Sequence, residues 1–326
     1  MRVTFILPTL NNALEISNVL QSIRTQDYPS DKIEIVVSDG GSTDNTTQIA
    51  LKYGCKVINN PKILAEYGIS LGIKESSGDI NIIVASDNEL VGNDWITKMV
   101  RPFIESDVIG AFPETINSKS DSWISCYYNV FTDPFNHFIY GSSANTRTLY
   151  KEFNKIFESP EYIIYDFKAV GHPLLVLAQG FATSRDFNRP SEYEFDDIMP
   201  LVDLILKGKK LAFVPKTKIY HHTVKNLSHF IKKIRWASAN GLNKKNYGFT
   251  IRTRYLTKWQ KIKVYLWIPY SFSIIFPILR SIYGIIRDKE FIWRYHAPIS
   301  FIGAGVVLYE FIRFKVFGIN KIVKRQ

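Results

Sequence analysis

The sequence predicts an α/β fold with a doubly wound, mostly parallel sheet, followed by C-terminal membrane-associated helices. In the first half of the 326 residues, short apolar runs alternate with runs that have apolar residues at helical spacing. The apolar runs lack the two-residue alternation of half-exposed strands, as expected for strands buried on both faces of a parallel sheet. Long apolar and basic stretches fill the last third of the chain. We therefore expect helices on both faces of a sheet, followed by a distinct C-terminal segment.

The predicted strands and helices follow one another regularly. Runs rich in Val and Ile favour strands, and apolar residues three and four positions apart favour helices. Gly54 can close the second helix, because glycine readily adopts the left-handed conformation found at helix ends. The predicted strands are VTFILPT, IEIVVSD, CKVIN, INIIVAS and VIGAFPE. The predicted helices are NALEISNVLQSIRTQ, DNTTQIALKYG, LAEYGISLGIKESSG and NDWITKMVRPFIES.

Polar residues lie at the ends of the first two predicted strands. Pro8 and Thr9 end the first strand, and Asp39 ends the second. Open parallel sheets bind ligands at the carboxyl ends of their strands, so Asp39 is a candidate acceptor of hydrogen bonds from a ribose or a base. The alternative is an ordinary turn, since Gly, Asp and Ser are common turn residues. Ser42 or Asp44 is expected to cap the following helix.

The sequence SDNE follows the fourth predicted strand and carries two carboxylates. Asp87 and Glu89 can turn toward one point if the chain bends at Asn88, and two converging carboxylates can hold a hard divalent cation. Such a cation can bridge a diphosphate and neutralise it as it leaves. A solvated turn, with an aspartate that caps the next helix, is the alternative interpretation.

The last third of the chain combines positive charge with apolar residues. The net charge of the protein is +11, which indicates an anionic partner. Two apolar stretches, 264–286 and 297–319, lie among the basic residues. We interpret them as helices that lie in, or dip into, a membrane interface, because charges such as Arg280 and Glu310 interrupt them. Helices that span the bilayer are the alternative.

Charge distribution and cysteine content restrict the class of protein further. Nucleic-acid binding is disfavoured, because the basic residues lie within long apolar segments and not on a polar face. Cys55 and Cys126 form neither a metal-binding spacing nor a disulfide framework, which favours a reducing compartment. The N-terminus lacks the features of a secretory signal. We therefore expect a peripheral or monotopic protein at the cytoplasmic face of a membrane.

Four blocks of sequence together resemble the family 2 glycosyltransferases of GT-A fold. They are FILPTLNN, VVSDGGSTDNT, SSGDINIIVASDNEL with NDWI after it, and DDIMPLVDLILKGKKLAFVPKTKIYHH. The resemblance depends on the order and spacing of all four blocks, since no single block is specific. It implies a GT-A nucleotide-sugar glycosyltransferase domain over residues 1–240. Residues 241–326 would then form basic, aromatic helices for membrane association.

The resemblance implies a donor site and a metal at the edge of the sheet. The donor would be a nucleotide-diphosphate sugar, UDP-sugar by default, and the metal Mg²⁺ or Mn²⁺. The chain departs from the family at Gly40, where the family often has a second Asp. Asp87 is favoured over the longer Glu89 as the direct metal ligand. The implied donor-binding residues are Pro8, Thr9, Asp39, Asp87 and Asn88, and the implied metal ligands are Asp87, Glu89 and His221.

The family's catalytic base comes from an acidic pair before a helix that ends in glycine. By its spacing to Gly208, Asp197 is implied as the base, with Asp196 as its neighbour. The alternative is that both residues simply favour the dipole at a helix start. Glu192 and Glu194 are the competing candidates if the alignment is shifted.

The family implies an inverting displacement of the nucleoside diphosphate by an acceptor hydroxyl. With basic, aromatic helices holding the site at a membrane, a lipid-linked (polyprenyl-linked) glycan is the natural acceptor. Arg189, Lys225 and Arg235 are candidates for complementing phosphate charge. A polyprenyl-phosphate sugar synthase and a non-catalytic membrane-bound scaffold are the alternatives, and assembly into a homo-oligomer is left open.

Overall fold

The computed structural model describes residues 1–146, 154–168, 179–187, 189, 196–243 and 249–318. Their contacts divide them into two compact units. The first unit contains Met1–Ser118 and the described residues from Asn154 to His221. The second contains residues 119–146 and the described residues from His222 onward. The two units do not coincide with the expected segments 1–240 and 241–326, and that division by function stays a prediction.

The first unit is built on a sheet that has ten strands within the described residues. They are β1 (Val3–Thr9), β2 (Ile33–Asp39), β3 (Lys56–Asn59), β4 (Ile80–Ile83), β5 (Asn88–Val91), β6 (Gly110–Ile116), β7 (Asn154–Glu158), β8 (Ile163–Asp166), β9 (Ala182–Ser184) and β10 (Leu211–His221). β3, β2, β1 and β4 are neighbours in parallel, and β6 is parallel to β10. β9 runs antiparallel between β4 and β6, while β5 and β8 pair antiparallel with β10. This parallel arrangement brings the carboxyl ends of β1 to β4, β6 and β10 to one edge.

The helices alternate with the strands as expected in the first half of the chain. In the first unit they are α1 (Ala13–Arg24), α2 (Thr46–Lys52), α3 (Ala65–Glu75), α4 (Trp95–Glu105) and α7 (Met199–Leu206). In the second unit they are α5 (Trp123–Phe131), α6 (Pro134–Tyr140), α8 (Leu227–Asn243), α9 (Phe249–Arg252), α10 (Lys258–Phe272), α11 (Ile275–Asp288) and α12 (His296–Lys315). The α/β class predicted from the sequence is confirmed.

Helices cover both faces of β1. Phe5 and Leu7 are buried in one cluster with Ile16 and Leu20 of α1. Ile6 points to the opposite face, because successive side chains of a strand alternate. There it meets α3 at Gly72, where an added Cβ would lie 2.3 Å from the Cγ2 atom of Ile6. The helix can therefore approach the strand this closely only with glycine at that position.

The fourth predicted strand, INIIVAS, is shorter in the structure and is followed by an additional strand. β4 ends at Ile83, and β5 begins at Asn88, directly after Asp87. β5 pairs with β10, so that Asn88 lies opposite His221 and Glu89 opposite Tyr220. The turn lies before Asn88, and Glu89 belongs to an extended strand, so the bend at Asn88 that would let Asp87 and Glu89 converge is not formed.

The second unit has an aromatic core of its own. Tyr127, Phe131, Phe230 and Trp293 are buried in it, together with Ile299. The Tyr127 hydroxyl lies 2.7 Å from Nδ1 of the buried His296, which fixes the start of α12 against α5. Within the described residues, the segment Phe291–Lys315 is long and apolar enough to cross a membrane by length and composition.

Candidate active site

The carboxyl edge of the sheet gathers the polar residues predicted at strand ends. Thr9 lies opposite Asp39 in the register of β1 and β2, and Pro8 lies opposite Ser38. Thr9 and Ser38 are buried, and within the described part of the chain their hydroxyl oxygens have no hydrogen-bond partner. The edge therefore carries buried polar groups whose hydrogen bonds the described residues do not satisfy.

Asp39 organises the loop that follows β2. Its Oδ2 atom accepts hydrogen bonds from the backbone N–H groups of Gly41, at 3.0 Å, and Ser42, at 2.9 Å. Its Oδ1 atom accepts from the Ser42 hydroxyl at 2.5 Å. These hydrogen bonds agree with the turn interpretation of this segment. Contact with a ribose or a base stays a prediction.

Asp44 connects the starts of α1 and α2. One carboxylate oxygen accepts from the N–H of Thr46 at 3.0 Å, and the other from the N–H of Ala13 at 3.1 Å. The Thr46 hydroxyl, which also donates to Asp44, is the main cause that lowers the pKa of this carboxyl below its usual range. Of the two residues predicted to cap a helix, Asp44 accepts hydrogen bonds at helix starts. Ser42 is instead hydrogen-bonded to Asp39 and to the backbone N–H of Asn11.

Asp87 and His221 meet at the ends of β4 and β10. His221 Nε2 lies 3.8 Å from Oδ2 of Asp87. The other carboxylate oxygen of Asp87, Oδ1, is buried and has no hydrogen-bond partner among the residues that the structure describes. A carboxylate oxygen in that state is costly unless a cation or a donor satisfies it. A carboxylate beside an imidazole therefore fits a divalent cation such as Mn²⁺ or Mg²⁺.

Asn88 and Ser86 hold the turn that carries Asp87. The side-chain oxygen of Asn88 accepts from the N–H of Ala85 at 2.8 Å, and Asn12 donates to the Ser86 hydroxyl. Asn88 is itself only 2% exposed. Its side chain therefore stabilises the turn by an internal hydrogen bond. Direct contact of Asn88 with a donor sugar stays a prediction.

The side chain of Glu89 does not lie on the same face as the Asp87–His221 pair. Neighbouring residues of a strand point to opposite faces, so Glu89 and Tyr220 lie on the face opposite Asn88 and His221. Glu89 lines a cleft with Asn18 and other polar residues of α1. In the part of the chain that the structure describes, no group of three or more His, Cys, Asp or Glu residues could hold a metal ion.

The two adjacent aspartates before α7 have different environments. Asp196 is 2% exposed, and one of its carboxylate oxygens accepts from the N–H groups of Ile198, at 2.9 Å, and Met199, at 2.8 Å. Asp197 is only partly buried. Asp196 therefore stabilises the start of α7, which agrees with the alternative that the acidic pair favours a helix start. The backbone of Asp197 is held in place because it is adjacent to Asp196. Glu192 and Glu194 lie outside the described residues.

The family model for glycosyl transferase family 2 matches residues 4–171, about half of the chain. The chain belongs to this family. The match begins in β1 and includes the loop at Asp39 and the turn at Asp87. The resemblance noted in the sequence is thereby confirmed, and the protein is a glycosyltransferase.

Two curated relatives of the transferase are named as sugar transferases with different acceptors. A dolichyl N-acetyl-alpha-D-glucosaminyl phosphate 3-beta-D-2,3-diacetamido-2,3-dideoxy-beta-D-glucuronosyltransferase of Methanococcus voltae is 25% identical over 253 residues, which is 74% of the transferase and 73% of that enzyme. The poly(ribitol-phosphate) beta-N-acetylglucosaminyltransferase TarS of Staphylococcus aureus is 31% identical over 128 residues. That second alignment covers 36% of the transferase and only 22% of TarS.

A solved structure agrees with the GT-A fold of the transferase. The mannosyltransferase PcManGT of Pyrobaculum calidifontis, in complex with GDP-Man and Mn²⁺, has a TM-score of 0.52 and 15% sequence identity. The similarity covers 95% of the transferase and 87% of that chain. At this level of identity the comparison concerns the fold alone.

Sequence reasoning missed one residue near the site. Asn12 was not singled out, although the NN pair that follows Leu10 after β1 is a signal at the same sheet edge. Arg235, a phosphate candidate, lies in the second unit, where its Nε atom is 2.6 Å from Oε1 of Glu310, and contact with a phosphate stays a prediction. Lys225 is exposed in the same unit, and Arg189 of the first unit donates to the carbonyl oxygen of Asp196.

Proposed function

We propose that the transferase moves a sugar from a nucleotide-diphosphate donor to a hydroxyl of a lipid-linked, polyprenyl-linked glycan. The observation that carries the proposal is the Asp87–His221 pair at the carboxyl edge, with the unsatisfied Oδ1 atom of Asp87. Ligands of open α/β sheets bind at this edge. The donor would extend from Pro8, Thr9 and Asp39 toward Asp87, with UDP as the default nucleotide.

Asp87 and His221 would hold the divalent cation, Mg²⁺ or Mn²⁺. When bound, the cation neutralises charge on the diphosphate that departs. The complex of PcManGT with GDP-Man and Mn²⁺ supports this assignment by analogy of fold. Glu89 is omitted from the proposed ligand set, because β5 directs it to the other face.

Asp197 is the proposed catalytic base. It would take the proton of the acceptor hydroxyl while that oxygen attacks the anomeric carbon opposite the leaving nucleoside diphosphate. A single displacement inverts the configuration of that carbon. Asp196 is a positioning residue in this scheme, because its bonds to the N–H groups at the start of α7 fix the backbone next to Asp197.

The acceptor is proposed from the most extensive sequence relationship among those described. The Methanococcus enzyme is aligned over 74% of the transferase, and its name includes a dolichyl phosphate-linked sugar. An acceptor with a polyprenyl chain would place the transferase at a membrane, and we propose its cytoplasmic face. Transfer of a sugar to polyprenyl phosphate itself is the second candidate, because it requires the same donor site and the same membrane.

Transfer to defined acceptors tests this function. Purified protein is incubated with radiolabelled UDP-, GDP- and TDP-sugars, Mn²⁺, and either polyprenyl phosphate or polyprenyl-linked N-acetylglucosamine. We expect label to enter the organic phase with the glycosylated lipid and not with polyprenyl phosphate. Label on polyprenyl phosphate alone would favour the synthase. Nucleotide binding without transfer to either lipid would contradict the proposed acceptor, and no nucleotide binding would favour the non-catalytic scaffold.

A further inference from the structure

Helix α11 has its large apolar residues on the outside. Ile275, Leu279, Ile282 and Ile286 are between 50% and 72% exposed. Their spacing of three and four residues places them on one face of the helix. A helix of a water-soluble domain normally directs such a face to the core. These four residues define what we call the α11 face. This apolar face points outward and not toward a core.

The opposite side of α11 consists of small residues that pack inside the second unit. Ser281 and Gly284 are buried, and so is Pro277. An added Cβ at Gly284 would lie 2.2 Å from the Trp293 ring. The helix therefore cannot rotate to bury the α11 face without forcing bulky side chains into this tight contact. The outward orientation is consequently built into the packing.

Positive charge predominates in the segment of the chain that contains the α11 face. Residues 251–318 contain eleven Lys and Arg residues and three acidic residues. Two of the acids are engaged internally: Asp288 lies 2.5 Å from Arg287 and accepts from the Trp293 indole, and the buried Glu310 is paired with Arg235 and Arg313. An apolar face within a basic region complements a bilayer that has anionic headgroups.

We propose that α11 lies parallel to the surface of an anionic bilayer and inserts the α11 face among the lipid chains. With 14 residues, the helix is about 21 Å long, which is shorter than the roughly 30 Å hydrocarbon core. α10 and α11 together are long and apolar enough for a span, but the bend of 98° at their junction means that they do not form one straight transmembrane helix. Pairing with the same face of a second copy would bring like charges together. The inference rests on the proposed function, because a lipid-linked acceptor resides in this bilayer.

Co-sedimentation of the full chain with vesicles tests the proposal. We expect binding to phosphatidylcholine vesicles with 30% phosphatidylglycerol, and at least tenfold weaker binding to pure phosphatidylcholine. Leu279→Glu combined with Ile282→Glu should reduce binding to the anionic vesicles at least tenfold. The matched control is Ile104→Glu on α4, where the side chain is 66% exposed, and it should change binding less than twofold.

The outcomes separate this proposal from the proposed function. Nucleotide binding by the double variant, measured in detergent, should equal that of the wild type, which also shows that the variant is folded. Equal vesicle binding by the wild type and the double variant would overturn the proposal, as would equal binding to both vesicle types. A wild-type dimer without lipid that the double variant makes monomeric would instead assign the α11 face to a second copy. Lack of transferase activity with normal vesicle binding would contradict only the proposed function.

Discussion

His221 lies with its Nε2 atom 3.8 Å from Oδ2 of Asp87, although the two residues are far apart in the sequence. The pairing of β5 with β10 produces this proximity, because it places His221 opposite Asn88, the neighbour of Asp87. A carboxylate and an imidazole are both side chains that can ligate a metal ion. The following predictions concern this pair and the structure that supports it.

Removing the imidazole should weaken metal-dependent nucleotide binding. In His221→Ala, we expect the Mn²⁺ concentration for half-maximal nucleotide binding to rise about 10- to 100-fold, as for loss of a metal-site residue. Fluorescence titration with a labelled nucleotide measures it. His229→Ala on α8, outside the first unit, is the control and should behave as the wild type. An unchanged Mn²⁺ requirement in His221→Ala would exclude His221 from the metal site.

Asp197→Asn should lower turnover without weakening the binding of the donor. Loss of a general base typically costs about 10²- to 10⁴-fold in rate. Asp203→Asn is the matched control, because Asp203 lies on α7 and forms a surface ion pair with Lys207 at 2.7 Å. The measurement is initial rate of sugar transfer together with nucleotide affinity. A rate for Asp197→Asn within threefold of the control would contradict its assignment as the base.

Asp44→Ala should destabilise the first unit. The carboxylate satisfies N–H groups at the starts of two helices, and loss of such a capping side chain costs about 1–2 kcal/mol. Asp44→Asn should lower the free energy of unfolding by less, because an amide oxygen still accepts one of these hydrogen bonds. Denaturant unfolding measures the free energy. Equal stability of wild type and Asp44→Ala would show that water replaces these bonds without cost.

The Asp44 carboxyl should make the stability of the protein decrease at acidic pH. The pKa of Asp44 is lowered in the folded protein, chiefly by the Thr46 hydroxyl, from its ordinary value of 3.8. Its contribution to stability is therefore fully present above that value and is lost as the pH falls through the lower folded pKa. Melting temperatures between pH 6 and pH 2 should fall more steeply for the wild type than for Asp44→Asn. Parallel curves would contradict this.

Gly72→Ala should strain the contact between α3 and β1. The new Cβ would lie 2.3 Å from Ile6 Cγ2, and overpacking of this kind costs about 1–3 kcal/mol. Gly305→Ala on α12 is the control, since no atom of the described residues lies within 4 Å of its added Cβ. Combining Gly72→Ala with Ile6→Ala should cost less than the sum of the two single changes. Additive free energies of unfolding would contradict a direct clash.

Local patterns were sufficient to predict the central strands and the helices around them. β1 and β2 have the bounds expected from VTFILPT and IEIVVSD, because uninterrupted apolar runs between polar turns are a strong local signal. β5 was not predicted, since its four residues become a strand only by pairing with the distant β10. That pairing also determines the side to which Glu89 points, so the sequence alone could not separate Glu89 from Asp87.

The acidic pair shows a similar limit. Asp196 and Asp197 are equivalent by composition, and spacing to Gly208 was the reason to prefer Asp197 as the base. The structure distinguishes them through hydrogen bonds at the start of α7, where Asp196 accepts two backbone N–H groups. Such bonds depend on the position at which a helix begins, and sequence patterns predict helix ends poorly.

Calorimetric titration with UDP, GDP and TDP tests the central claim most directly. Each nucleotide is added to the wild type and to Asp87→Asn, with Mn²⁺ and with a chelator. Asp94→Asn is the control, because Asp94 is paired with Lys98 at the surface of α4. We predict that one nucleotide binds only with Mn²⁺, that Asp87→Asn abolishes this binding, and that the control retains it. Nucleotide binding that is equally strong with chelator, or in Asp87→Asn, would contradict a metal-assisted donor site at Asp87.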